Sequence, residues 1–256
     1  MNRRSIRRLA VGFGTFTLLA GSTTQALATD LVKTDTTSTP AAYADYLRHS
    51  NEDGAAQASK AFDALSPNEQ KQFVTHLHDP ALFASFLNQP VKQEEGITAS
   101  TYNSSHTTTV KGGDVTFVSR RDITAATSTA KPLPKGNHWA SYTQDLKIKG
   151  ITVLKLKLSV NFHSNGKDVT KVNYAEASKK NLSGLIKVAH DSPKTWLGQW
   201  KLCKKGKPCS HGHLAGASVV WEGTVSGPSY EFQVDKKQTM EANVYGSVTY
   251  KTFKNA

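Results

Sequence analysis

The stretch SYTQDLKIKGITVLKLKLSVNFH, residues 141–163, decides the fold class of this chain. Its apolar side chains stand at even positions and its polar or charged side chains at odd positions. The even set is Tyr142, Leu146, Ile148, Leu154, Leu156, Leu158, Val160 and Phe162, and the odd set is Asp145, Lys147, Lys149, Lys155, Lys157 and Asn161. Alternation with a period of two is typical of a β-strand with one face on a core and the other in water. The pattern therefore predicts a β core with an exposed basic face.

This stretch is too long to form a single strand. At ~3.3 Å per residue it would span about 70 Å, so the chain must reverse near Gly150. A three-residue loop over residues 149–151 keeps the apolar face continuous, whereas a two-residue turn at Lys149-Gly150 mixes apolar and charged side chains. The cross-strand pairs that the longer loop predicts are Tyr142–Leu158, Asp145–Lys155 and Leu146–Leu154. Because such a loop usually ends in glycine and this one ends in Ile151, we expect a β-bulge to absorb the mismatch.

Residues 1–28 have the composition of a secretory signal peptide. Arg3, Arg4, Arg7 and Arg8 form a positive region, residues 9–20 are largely apolar, and Ala26-Leu27-Ala28 is an A-x-A cleavage site. No later stretch reaches the roughly 20 apolar residues of a membrane helix. The sequence therefore predicts a secreted, extracellular protein with no transmembrane segment in the mature chain.

Charge divides unevenly along the chain. The formal net charge is +12, from 32 Lys and Arg against 20 Asp and Glu. Residues 29–96 hold ten acidic and five basic residues, whereas residues 97–256 hold ten acidic and twenty-three basic residues. Such a basic region attracts anionic polymers, cell-envelope components or acidic surfaces of extracellular proteins, with nucleic acid a weaker candidate. The alternative is that the lysines only keep a secreted domain in solution.

Three segments follow the signal peptide: a Thr-rich flexible leader over residues 29–39, an acidic helical segment over 40–90, and a basic antiparallel β domain over 97–256. Helix starts are indicated by Thr39-Pro40, by the capping box from Ser66 to Glu69, and by Asp79-Pro80. Regular short strands separated by turn residues predict an α+β fold whose larger part is an antiparallel β-sandwich or barrel-like domain. About 50 helical residues bury little surface alone, so we expect them to dock on the β domain. A pro-segment that shields the basic domain until it is removed is the alternative.

Cys203 and Cys209 are the only cysteines and enclose three lysines. In an exported protein the pair is expected to form a disulfide. The alternative is a zinc site that adds His211 and His213. The spacing C-x₅-C-x-H-x-H does not match the usual zinc motifs, and an oxidising exterior removes thiolates, so we predict the disulfide and no metal site.

The candidate binding residues are basic side chains and two tryptophans. They are Lys147, Lys155 and Lys157 on the exposed strand face, Lys204, Lys205 and Lys207 on the disulfide loop, and the nearby Trp196 and Trp200. Aromatic rings beside basic residues suit contacts with sugars and polyanions. The alternative, which we favour for the tryptophans, is that Trp196, Trp200 and Trp221 are core residues.

The sequence contains none of the common enzyme signatures: no G-x-S-x-G, H-E-x-x-H, P-loop or G-x-G-x-x-G. We therefore predict a non-enzymatic, secreted binding protein whose cationic β-sandwich engages an anionic surface, polymer or protein partner, with no catalytic residue and no cofactor. One alternative is a secreted hydrolase or toxin with a histidine site. Its candidate residues are His138, His163, His190 and His213 with Asp191 or Glu222. Another alternative is a protease inhibitor that presents the loop 126–137.

Overall fold

A computed structural model of the protein describes residues 37–88, 104–123, 131–202, 209–227 and 230–256. The helices are α1 Pro40–His49, α2 Ala55–Asp63, α3 Pro67–Leu77 and α4 Pro80–Leu87. The strands are β1 Ser104–Val110, β2 Val115–Ile123, β3 Gly136–Ile148, β4 Ile151–Ser164, β5 Val169–Asn181, β6 Ile186–His190, β7 Lys194–Leu202, β8 Ser210–Gly227, β9 Tyr230–Ala242 and β10 Val248–Asn255. This confirms the α+β class, with short helices before a larger antiparallel β region. The predicted signal peptide lies outside the described residues.

The helices begin where the sequence predicted. The Thr39 side chain accepts a hydrogen bond from the Ala42 N–H at 3.2 Å. Ser66 and Glu69 form both hydrogen bonds of a capping box, and the Asp79 carboxylate accepts from the Ala81 N–H at 2.9 Å. Each cap satisfies backbone donors that the first helical turn leaves unpaired. Within the described ranges, no helix has both the length and the apolar character that crossing a bilayer requires.

The ten strands in the described ranges form two antiparallel sheets. Sheet A has the order β1-β2-β3-β4-β5, and sheet B has the order β10-β9-β8-β6 with β7 also paired to β8. Strands β7 and β6 share one side of β8, because β7 pairs with its residues 210–218 and β6 with its residues 221–225. Pro193 stands at the break between them, where an edge strand tolerates a residue without an N–H.

The hairpin between β3 and β4 differs from the expected one in its turn and in the pairs next to the turn, but not in the pairing further along the strands. Ile148 pairs with Ile151, so the turn has two residues, Lys149 (φ 47°) and Gly150 (φ 80°), and the three-residue loop was wrong. A bulge at Val153 then shifts the register by one residue. With that shift the strands form the three predicted pairs, which are thereby confirmed: Tyr142–Leu158, Asp145–Lys155 and Leu146–Leu154.

Helix α4 contacts the inner faces of both sheets. The Phe86 ring lies 5.8 Å from the ring of Phe117 in β2 and 6.4 Å from that of Phe253 in β10, measured between centroids. In α1, the Tyr43 hydroxyl donates to the Leu182 carbonyl at 3.0 Å in a buried contact. The apolar residues of the helices and of both sheets belong to one continuous core. The helical segment therefore completes the core of the sandwich.

A buried hydrogen-bond chain joins the two sheets. The Trp221 indole N–H in β8 donates to Gln238 Oε1 in β9 at 2.8 Å. Gln238 Nε2 in turn donates to the carbonyl oxygen of Tyr142 in β3 at 2.9 Å. All three residues are buried, and the chain fixes the position of β3 relative to sheet B.

Asp114, in the turn between β1 and β2, ties helix α3 to the β3–β4 turn. Its carboxylate accepts from Lys149 Nζ at 2.5 Å and lies 3.3 Å from His76 Nε2. The hydrogen bond from Lys149, followed by that from His76, holds the pKa of Asp114 below its usual value. The Lys149 N–H also donates to the Asp114 carbonyl at 2.6 Å, which supports the left-handed backbone of Lys149.

Asp114→Asn should lower stability at neutral pH and leave it unchanged in acid. A carboxyl group whose pKa is lower in the folded state stabilises that state above the unfolded pKa near 4, and the contribution disappears as pH falls through the folded value. Urea unfolding midpoints of both proteins between pH 7 and pH 2.5 measure this difference. Asp122→Asn is the control, because Asp122 has no ion-pair partner in the described part of the chain. An equal deficit at every pH would show that the Asp114 charge plays no part.

Candidate functional site

The predicted basic strand face is the outer face of sheet A, which points away from sheet B. Lys147, Lys155 and Lys157 all lie on it and are half-buried. The three lysines lie on this outer face because side chains alternate between the two faces of a strand and the Val153 bulge shifts that alternation by one residue. Beyond the bulge, the even residues of β4 face the core and the odd residues face outward. Strands β2 and β5 add Arg120 and Lys180 to the same face through their pairing with β3 and β4.

Lysines face one another across two strands of this surface. In the row formed by Asp145, Lys155 and Lys180, each residue lies directly opposite the next on adjacent strands. Burial lowers the pKa of Lys180 and the positive charge of Lys155 lowers it further, while nearby carboxylates, that of Asp53 first, act in the opposite direction. Adjacent like charges are unfavourable in the free protein, and an anion bound between them would relieve that repulsion.

Asp145 also belongs to this face and is more buried than the lysines. Its side chain is only 2% exposed, and its Oδ2 accepts a hydrogen bond from Arg120 Nη2 at 3.1 Å. Burial raises the pKa of Asp145, while the nearby Arg120 and Lys155 charges act in the opposite direction. Lys155 and Lys157 remain more accessible than this carboxylate.

A pocket of about 340 Å³ opens next to the lysines. It follows a second row, in which Asp122, Ser141, Ser159 and Glu176 stand opposite one another on β2, β3, β4 and β5. Its lining consists of these four residues with Trp139, Ala140 and Lys157. Four adjacent strands therefore contribute one polar side chain each to the same small site.

Aromatic side chains border the pocket on the side away from the lysines. Trp139 lies in a third row with Asn161 and Tyr174. The Trp139 and Tyr174 rings meet edge to face, with centroids 5.2 Å apart and an angle of 84° between their planes. Tyr174 is 49% exposed, which is high for a large aromatic side chain. The three rows thus change from cationic to polar to aromatic along β4.

The polar side chains of the pocket have no partners among the residues that the structure describes. In the described part of the chain, Asp122, Ser141, Lys157, Ser159 and Glu176 make no side-chain hydrogen bond or ion pair. Ser141 and Ser159 are nevertheless largely buried, at 7% and 9% exposed. Buried polar groups normally find hydrogen-bond partners, so this pocket offers donors and acceptors to water or to a ligand.

Trp196 and Trp200 lie on the outer face of sheet B, on the opposite side of the sandwich from the lysines. Strand β7 sets them opposite Gly216 and Gly212, and a Cβ at Gly216 would lie 2.1 Å from the Trp196 ring. Both tryptophans are half-buried, and Trp196 Nε1 donates to Glu241 Oε1 at 2.8 Å. Only Trp221 occupies the core position that we favoured for all three.

Strands β7 and β8 form a hairpin, and the remaining predicted binding residues fall between them in the sequence. Lys204, Lys205, Lys207 and Cys203 lie outside the described residues, so the disulfide stays a prediction. The last described pair of that hairpin is Leu202–Ser210, and the two cysteines are the next residues along the two chain directions.

The structure does not gather the histidines proposed for a hydrolytic site. Each has its own neighbour: His138 lies 2.8 Å from the Pro134 carbonyl, His163 2.9 Å from Thr170 Oγ1, His190 against the Trp221 ring, and His213 2.6 Å from Asp168 Oδ2. In the ranges that the structure describes, no three His, Cys, Asp or Glu side chains are grouped as metal ligands would be. Residues 126–130 of the proposed inhibitory loop lie outside those ranges.

Sequence reasoning missed the pocket itself. Asp122, Ser141, Ser159 and Glu176 are isolated polar residues on four different strands and have no motif spacing. The one available signal was Trp139, an aromatic residue at an odd position that continues the exposed face of the alternating stretch.

No protein-family model, curated protein or solved structure matches this chain.

Proposed function

We propose that the protein is a secreted, non-enzymatic binding protein whose outer face of sheet A engages an anionic partner outside the cell. One observation carries the proposal: in the part of the chain that the structure describes, five cationic side chains share this face, one of them paired with Asp145. They are Arg120, Lys147, Lys155, Lys157 and Lys180. Paired strands hold their backbones at fixed separations, so a polymer or surface with repeated negative charges would contact several of them at once. The export features of residues 1–28 support the extracellular location.

The partner should be held mainly by long-range attraction. The lysine side chains are half-buried rather than enclosed, so salt screens their interaction with a bound anion. Each contact that displaces a condensed counterion from a polyanion adds to the dependence of affinity on salt concentration. A steep decline of affinity with salt is therefore the expected signature of this face.

The double variant Lys155→Glu/Lys157→Glu tests the proposal. At about 0.15 M salt we expect its affinity for immobilised dextran sulfate to fall by at least roughly tenfold, with a shallower salt dependence. The matched control is Lys187→Glu/Lys194→Glu, which changes net charge equally but at exposed positions of β6 and β7. Equal losses in the two variants would mean that net charge alone matters. Wild-type retention that is absent or insensitive to salt would also contradict the proposal.

A further inference from the structure

We infer that the anionic partner is an acidic polysaccharide and that one of its sugar residues occupies the pocket beside the lysines. The inference rests on the proposed function and names the chemical class of the partner. The pocket and the cationic face are continuous with each other. Lys157 lines the pocket and also belongs to the cationic face, and Lys155 lies two residues before it in β4. Outward side chains on one strand repeat every ~6.6 Å, so a single chain lying along β4 would meet both.

The charge of the pocket argues against a simple anion inside it. Asp122 and Glu176 stand at its two ends, and carboxylates only accept hydrogen bonds. A phosphate or sulfate group placed between them would be repelled by both. An occupant that donates hydrogen bonds to them is required, and the hydroxyl groups of a sugar do so.

The rest of the lining suits the same occupant. Ser141 and Ser159 can each donate and accept, which matches hydroxyl groups that do both. Trp139 supplies a large apolar wall, against which the C–H groups of a sugar ring can pack. The volume of about 340 Å³ is at the small end of the range for ligand pockets, which fits one ring rather than a large ligand.

The lysines then select for negative charge on the same polymer. A sugar ring in the pocket would place its neighbours along β4 near Lys155 and Lys157, where carboxylate or sulfate substituents are favourable. A neutral polysaccharide would use only the pocket, and a polyphosphate would use only the lysines. An acidic polysaccharide uses both, because it carries hydroxyl-bearing rings and repeated negative charges on one chain.

The test compares alginate, a polymer of uronic acids, with inorganic polyphosphate, by titration of the full mature chain at fixed salt. We expect Trp139→Ala to weaken alginate binding at least tenfold and to change polyphosphate binding less than twofold. Trp139→Phe should keep most of the alginate affinity, which separates loss of the ring from loss of folding. Leu197→Ala, which removes an exposed apolar side chain of β7 in sheet B, is the control and should bind alginate as the wild type does.

Removing the two pocket carboxylates should have opposite effects on the binding of the two polymers. Asp122→Asn/Glu176→Gln should weaken alginate binding several-fold, because it removes acceptors for hydroxyl groups, and should strengthen polyphosphate binding by removing repulsion. Strengthened binding of both polymers, or unchanged alginate binding in Trp139→Ala, would overturn the inference while leaving the proposed function in place. Failure of the wild type to bind either polymer would overturn both.

Discussion

Phe86→Ala should destabilise both sheets together, by about 3–5 kcal/mol in the free energy of unfolding. The Phe86 ring is almost completely buried and lies between Phe117 of sheet A and Phe253 of sheet B. Removing it leaves a cavity at the point where the helical segment joins both inner faces. Because single domains typically have only about 5–15 kcal/mol of stability, such a loss is a large part of the total.

Urea denaturation followed by far-UV and near-UV circular dichroism measures this effect. Both signals should shift together, because the helices and sheets share one core. Ser85→Ala is the matched control, since Ser85 is exposed on the same helix and its replacement should change stability by less than about 0.5 kcal/mol. If Phe86→Ala unfolded the helices while the sheets kept the wild-type midpoint, the segment would be separable. That outcome would favour the removable pro-segment that the sequence also allowed.

Gln238→Leu should cost about 1–3 kcal/mol, because it leaves the buried Trp221 indole N–H without an acceptor. Adding Trp221→Phe removes that orphaned donor. The double variant should therefore be more stable than the sum of the single changes by about 1 kcal/mol or more. Strictly additive losses in the four-protein cycle, measured by denaturant unfolding, would show that the Trp221–Gln238 bond contributes no coupling.

This cycle also bears on the candidate site. Gln238 holds the carbonyl of Tyr142, and the neighbours of Tyr142 in β3 include Ser141, whose side chain lines the pocket on the opposite face. Loosening the chain from Trp221 to Tyr142 would loosen the strand that carries the pocket floor. We expect alginate affinity to weaken in Gln238→Leu even though the changed residue lies on the other sheet.

The helix starts were predictable because their causes are local. Thr39, Ser66 and Asp79 each bond to a backbone N–H two or three residues ahead, so the whole interaction is contained in a short window of sequence. The proline after each cap adds a second local signal. Nothing distant is needed to place these helix boundaries.

The turn at Lys149-Gly150 was not predictable in the same way. A lysine with positive φ is uncommon, and its cost is offset by contacts with Asp114, a residue 35 positions earlier in the chain. The strand pairing was readable nevertheless, because only one register keeps the apolar face of β3 and β4 continuous. The bulge reconciles the short turn with that register.

The candidate site was likewise predictable in part: some of its residues follow from local sequence, and others depend on distant strand pairing. Lys147, Lys155 and Lys157 share a face because alternate residues of a strand point to the same side. The sequence shows that alternation directly. The row from Asp122 to Glu176 exists only because three separate strand pairings align, and a shift of one residue in any of them would turn a member away. The opposite placement of Trp196 and Trp200 likewise depends on β7 pairing with the glycines of β8.

The location of the pocket within regular strands has a consequence for the kinetics of binding. Strands β2, β3 and β4 are each hydrogen-bonded on both sides, so the backbones of most lining residues cannot move without breaking two ladders. A ligand therefore meets a site that folding has already ordered, and little further entropy is lost on association. Association should proceed without a slow rearrangement, and differences among ligands should appear mainly in their dissociation rates.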